Sequence, residues 1–239
     1  MNLDIELRRP LAALSTALLD LLFPPRCAAC SAALPSSDET FCALCADAVE
    51  PVPGGCPRCG QPGPPEPCGA CLAHPPAFRE VRAGALFGGP LADAVHAFKY
   101  RSRPALARPL GAWLAPRVAL PEGALLVSVP LGRARRLARG YDQAALLAAA
   151  LARASSGRVR RLPGALRRRR ETPPQVGRTR AERSRNVTGA FEASAAVRGL
   201  DLFLVDDVVT TGATADACAR ALLAAGARSV GVVALSRAE

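Results

Sequence analysis

Two groups of side chains in this sequence stand at spacings that chemistry can use. The first is a carboxylate pair, Asp206 and Asp207, set between the apolar run Leu202–Val205 and the hydroxyl-rich stretch Thr210–Thr214. A strand that runs into such a loop and then into a helix offers loop amides and a helix N-terminus to an anion. Thr210, Thr211 and Thr214 add hydroxyl donors, Val208 and Ala213 complete the segment, and Gly212 lets the backbone approach a phosphate closely. Asp206 and Asp207 can accept hydrogen bonds from neighbouring ribose hydroxyls. One segment would thus recognise both ends of a ribose 5-phosphate. Helix capping by the threonines and turn formation by the acids would account for each residue singly. They would not account for two adjacent carboxylates, which repel unless something bridges or neutralises them.

The second group is cysteine. Eight of the nine cysteines form four CxxC pairs: Cys27/Cys30, Cys42/Cys45, Cys56/Cys59 and Cys68/Cys71. Zinc takes a tetrahedron of four ligands, and two CxxC turns supply one. The pairs are read as two sequential closed sites, Cys27/Cys30/Cys42/Cys45 and Cys56/Cys59/Cys68/Cys71, each returned to its metal by a small hairpin; an interleaved cross-brace also satisfies the spacing. Four thiolates leave no open position, so both zinc ions are expected to be structural. The small residues and prolines around them provide little core, and folding of the module should depend on metal. Cys218 stands alone in a helical stretch and reads as a small buried hydrophobe.

Positioning these groups requires a sheet. Past Pro75–Pro76 apolar runs alternate with helical stretches, the pattern of an α/β fold with a parallel sheet covered by helices. Strands are expected at Val81–Phe87, Ala124–Pro130, Arg158–Leu162, Leu202–Asp206 and Ser229–Leu235. Helices are expected at Leu91–Tyr100, Pro104–Val118, Tyr141–Ala154 and Ala213–Ala225. The chain therefore divides into an N-terminal amphipathic helix within residues 1–25, a cysteine module over 26–75 and an α/β domain over 78–239. The helix rests on Leu14, Leu18, Leu21 and Leu22; Asp4, Glu6 and Asp20 argue against a secretory leader, and the apolar stretch is too short to span a bilayer. A cytoplasmic location is expected, where reducing conditions favour thiolate ligands over disulfides.

The formal charge is +11, and residues 158–185 carry 11 arginines against Glu171 and Glu182. Such a cluster suits an anionic partner, either a phosphate-bearing small molecule or a nucleic-acid backbone. Aromatic residues make up only 4% of the chain, which weakens a purely stacking mode of strand binding.

The segment Leu204–Thr214 resembles the motif of type I phosphoribosyltransferases that binds phosphoribosyl pyrophosphate (PRPP). From Leu22 to the C-terminus the chain resembles the ComF family, whose members include competence protein ComFC. Besides the CxxC pairs the likeness is carried by Leu22-Phe-Pro-Pro-Arg-Cys-Ala-Ala-Cys30, Phe98-Lys-Tyr100, Val129-Pro-Leu131, Arg139-Gly-Tyr-Asp-Gln143, Thr172 with Gln175, Arg183 with Asn186, and Ala225-Gly-Ala227.

This resemblance implies a double zinc ribbon followed by a phosphoribosyltransferase-type domain, linked to uptake of transforming DNA. It implies PRPP with Mg2+ as ligand, Asp206 and Asp207 as catalytic residues, and Val129, Pro130 and Leu131 at the pyrophosphate end. Lys99, Arg139, Arg180 and Arg183 are the expected anion contacts. Tyr141 and Asp142 stand where the family more often has Phe and Asn, so Asp142 is not expected to touch an anion. The expected activity is pentosyl transfer to an unidentified acceptor. The alternative is a non-catalytic single-stranded-DNA-binding component that keeps the fold. A competence-machinery protein is the expected partner of the zinc module.

Overall fold

The computed structural model describes residues 24–170 and 189–238. The expected N-terminal helix and the expected contacts Arg180 and Arg183 lie outside the described residues, as do Thr172, Gln175 and Asn186.

Two knuckles of the same design open the described chain. In the first, Ser31 N donates to Cys27 O at 3.0 Å, and an antiparallel bridge pairs Arg26 with Ala33. In the second, Gly60 N donates to Cys56 O at 2.9 Å, and Gly55 bridges to Pro62. The chain returns to each knuckle through a short helix, α1 (Ala43–Asp47) and α2 (Gly69–Ala73), with Cys42 and Cys68 as their N-caps. Each returning CxxC thus sits at a helix start rather than on a hairpin. Residues three apart share one face of a helical turn, so the helix brings both sulfurs to one point.

The body begins with β1 (Val81–Leu86), α3 (Gly89–Tyr100) and α4 (Ala107–Leu114). Turns of 3-10 helix flank α4 at Pro104–Leu106 and Ala115–Arg117, so the single helix expected over Pro104–Val118 is divided; Pro116 lacks the N–H that would continue it. Next come β2 (Leu125–Ser128), α5 (Arg133–Arg139), α6 (Gln143–Ala154) and β3 (Arg160–Arg161). A small antiparallel pair follows, β4 (Leu166–Arg168) with β5 (Phe191–Ala193). The chain closes with β6 (Asp201–Val209), α7 (Ala213–Ala224) and β7 (Ser229–Arg237).

Five strands form one parallel sheet in the order β1-β7-β6-β2-β3. Phe203, Val205, Val233 and Leu235 share a core with Leu91, Leu110 and Leu147 of α3, α4 and α6. Leu202, Leu204, Val232 and Ala234 share another with Ala215, Cys218 and Leu222 of α7. The alternation along β6 is the period of two that a strand with both faces covered must show. Cys27, Ala28, Leu34 and Phe41 of the first knuckle belong to the α3–α4 core, so the module packs on the body. Cys218 is fully buried against α7's side of the sheet, which fits the hydrophobe read from the sequence.

Candidate functional site

The strand bearing the carboxylates is longer than the sequence suggests. β6 continues through Asp206 and Asp207 to Val209, because its pairing with β7 persists: Asp206 opposes Ala234, Val208 opposes Ser236 and Val209 opposes Arg237. The two acids therefore lie inside a strand, where consecutive side chains point to opposite faces. Asp207 turns toward α3, where Lys99 Nζ lies 2.8 Å from its Oδ1. Asp206 turns toward α7, close enough to Cys218 for its charge to push that buried thiol further up than burial alone does.

This arrangement handles the repulsion between the acids. Burial, and then the charge of Asp207, push Asp206 up to about 8 from its ordinary 3.8; Lys99 and the Asp207 N–H, which donates to Asp206 Oδ1 at 2.9 Å, pull the other way. For Lys99, burial acts to lower its pKa, but the Asp207 charge and hydrogen bond, with Asp206 behind them, outweigh it and the net shift is upward. Lys99 was expected among the pyrophosphate contacts. In the structure its ammonium is committed to Asp207.

Both acids open into one cleft of about 770 Å³ at the carboxyl ends of β2 and β6. Val129, Pro130, Leu131, Val208, Thr210 and Thr214 line it with them, and Arg139 and Lys99 reach it too. Thr211, Gly212 and Ala213 are not among its lining residues. Thr211 Oγ1 accepts from Ala213 N at 3.4 Å, a local turn contact two residues on. Gly212 has φ +75°, and a Cβ there would meet the Phe78 ring at 3.3 Å. The Cβ side of Gly212 thus faces Phe78, and its positive φ makes the left-handed turn that starts α7.

The opposite rim is built by Arg139-Gly-Tyr-Asp-Gln143. Gly140, at φ +79°, ends α5; the Tyr141 hydroxyl donates to Phe98 O at the end of α3. Asp142 caps α6 by accepting from Ala145 N at 3.1 Å, and accepts from Leu131 N and Arg136 Nη2 at 3.3 Å each. Asp142 therefore holds the Val129–Leu131 loop to α6. A Phe at 141 would lack the hydroxyl bond to α3. Arg135 and Arg168 also line the cleft; Arg168 belongs to the 158–185 cluster read as suited to an anion, whereas sequence reasoning did not single out Arg135. Their sole signal was membership of arginine runs, which mark charge without marking position.

The cysteines gather into the two sequential tetrads, and within each tetrad the Sγ atoms lie within 4.8 Å of one another. Cys30 and Cys42 Sγ are 3.7 Å apart, as are Cys59 and Cys68 Sγ. A tetrahedron of zinc–sulfur bonds of about 2.3 Å has sulfurs roughly 3.8 Å apart. The Cys68 N–H also points to Cys56 Sγ at 3.4 Å, the stabilisation a thiolate ligand needs. None of the eight is paired in a disulfide, and the donor sets fit two structural zinc ions.

Two cysteine knuckles with tetrahedral donor sets, packed on a parallel sheet with a carboxylate cleft at its strand ends, define a double zinc ribbon joined to an α/β domain. Residues 18–72 match the family described as double zinc ribbon domain. DNA utilization protein YhgH of Salmonella typhi is 35% identical over 231 residues, covering 91% of this chain and 99% of that protein. Competence protein F of Haemophilus influenzae is 29% identical over 227 residues, covering 89% of this chain and 97% of that one. Among solved structures, glutamine PRPP amidotransferase from B. subtilis overlaps 60% of this chain and 27% of its own, at 21% identity and a TM-score of 0.37. The chain belongs to the ComF family. Among the described residues no helix is long and apolar enough to cross a membrane.

Proposed function

We propose that the cleft binds PRPP, with Asp206 and Asp207 toward the ribose hydroxyls and the Thr210–Thr214 loop toward the 5-phosphate. The observation that carries this reading is that one cleft receives both carboxylates, Thr210 and Thr214 together with the Val129–Leu131 loop. Two segments distant in sequence meet there at the carboxyl ends of adjacent parallel strands, where α/β sheets hold ligands. Arg139 lies on the Val129–Leu131 side, and Arg180 and Arg183 are proposed to join it there. Magnesium, arriving with PRPP, would neutralise pyrophosphate charge. The chain's own part in pentosyl transfer is then to hold the ribose and stabilise positive charge at its C1 as the bond to pyrophosphate breaks.

A second reading rests on a specific feature of the rim. Tyr100 is 67% exposed, with the Arg139 guanidinium 4.9 Å from its ring centre. An exposed aromatic beside arginine is a stacking platform for an unpaired base. The names of the relatives, DNA utilization protein and competence protein F, point to DNA. Single-stranded DNA is therefore proposed as a partner in DNA utilisation or natural transformation, in the cytoplasm, with a competence-machinery protein on the zinc module.

A thermal-shift titration with Mg2+ and PRPP tests the first reading. A rise of several degrees in the wild type, absent in the Asp206→Asn/Asp207→Asn double variant, supports it. No shift in the wild type removes it and leaves strand binding, which should weaken steeply with salt.

A further inference from the structure

Arg237, on the last residue of β7, is only 4% exposed, and no carboxylate lies within ion-pair distance of it among the described residues. Its guanidinium is satisfied by neutral oxygens from three segments. Nε donates to Cys59 O at 2.9 Å, Nη2 to Gln61 Oε1 at 2.6 Å, and Nη1 to Val209 O at 3.1 Å and to Ala238 O. A buried charge without a counter-ion is tolerable only while all its hydrogen-bond partners stay in place. Two of these partners belong to the second knuckle. The third, Val209, is the residue before Thr210.

The knuckle's shape depends on its own closure, Cys56 N donating to Gln61 O and Gly60 N to Cys56 O at 2.9 Å each, around the sulfurs of the tetrad. The segment leaving the module reaches the same loop from below. Ala77 N donates to Asp216 Oδ1 at 2.6 Å in the first turn of α7, and the Phe78 ring packs beneath Gly212. The loop between β6 and α7 is thus held at its start through Arg237, which also holds the second knuckle, and at its end by the segment that leaves the module.

We propose that Arg237 is a positioning residue coupling the second zinc site to the loop between β6 and α7, so that metal at Cys56, Cys59, Cys68 and Cys71 orders that loop. What the loop holds rests on the PRPP reading; the coupling itself does not. By reciprocity, whatever orders the loop must also retain the second zinc.

The test is hydrogen exchange on the full zinc-loaded chain, comparing the backbone at 206–214 with that at 230–234. Cys68→Ser should speed exchange at 206–214 by roughly tenfold, within the usual range of coupling between sites, and by more than Cys30→Ser does. Gln61→Ala removes an acceptor but no metal ligand, and should speed the same exchange less. It decides the matter if Cys68→Ser does not fold. Arg237→Gln should speed zinc release from the second tetrad to a chelator, with Arg237→Lys restoring part of the retention and the first tetrad unaffected. Unchanged exchange in Gln61→Ala together with unchanged zinc release in Arg237→Gln would overturn the proposal. PRPP that fails to bind while this coupling persists would remove the ligand reading and leave the coupling standing.

Discussion

Lys99 Nζ lies 2.8 Å from Asp207 Oδ1, joining the end of α3 to the strand that carries both cleft carboxylates. The pair is mostly out of water, with side-chain exposures of 18% and 11%. Removing one member of a buried pair leaves the other's charge uncompensated. Lys99→Ala is therefore expected to destabilise the protein by about 3 kcal/mol, read as a lowered midpoint in urea unfolding. A loss close to zero would mean solvent reaches Asp207 freely.

Asp206 gives a pH dependence whose direction follows from its raised pKa. Between 3.8 and about 8 the folded chain holds a proton that the unfolded chain has lost. Stability therefore falls as pH rises through that window. In Asp206→Asn this fall should be absent, and the variant should melt a few degrees above wild type at pH 9. Parallel melting curves across the range would contradict the placement of Asp206.

The rim makes a separate prediction. Asp142→Ala removes the cap of α6 and the tie to Leu131 together. A lost N-cap costs about 1 kcal/mol, and the extra tie should bring the loss to about 2 kcal/mol. Asp142→Asn keeps the acceptor and should recover most of it. Equal losses in the two variants would show that the negative charge beside Arg136, rather than the cap, is what counts.

Metal content separates the two tetrads. Two zinc ions per chain are expected by elemental analysis, one in Cys30→Ser and one in Cys68→Ser. Chelation of both should lower the melting temperature sharply, since the knuckles have little core of their own. Full stability after chelation would show that packing of Leu34 and Phe41 on the body suffices.

The elements legible in the sequence are those whose own pattern decides them. The CxxC spacing identified the eight ligands and left two pairings open, of which proximity in space selects the sequential one, and the apolar runs located the five sheet strands and four long helices to within a few residues. Other features depend on partners the sequence does not display. β6 runs past its carboxylates because β7 keeps pairing with it and Lys99 neutralises Asp207. The helix α5 escaped notice because Arg133–Arg139 has no apolar stripe, its Leu137 being 74% exposed. β4 and β5 are three residues each and meet only in space. The positioning tasks of Asp142 and Arg237 leave no local signal, since their partners come from distant segments.

The ligand proposed for the cleft is a ribose carrying phosphate at both ends. Isothermal titration of the full chain with PRPP and Mg2+ measures this directly, set against the same titration of Asp206→Asn/Asp207→Asn. One PRPP per chain in the wild type, with affinity at least tenfold weaker in the variant, is the expected result. Equal affinity in the two proteins, or no binding in either, would contradict it.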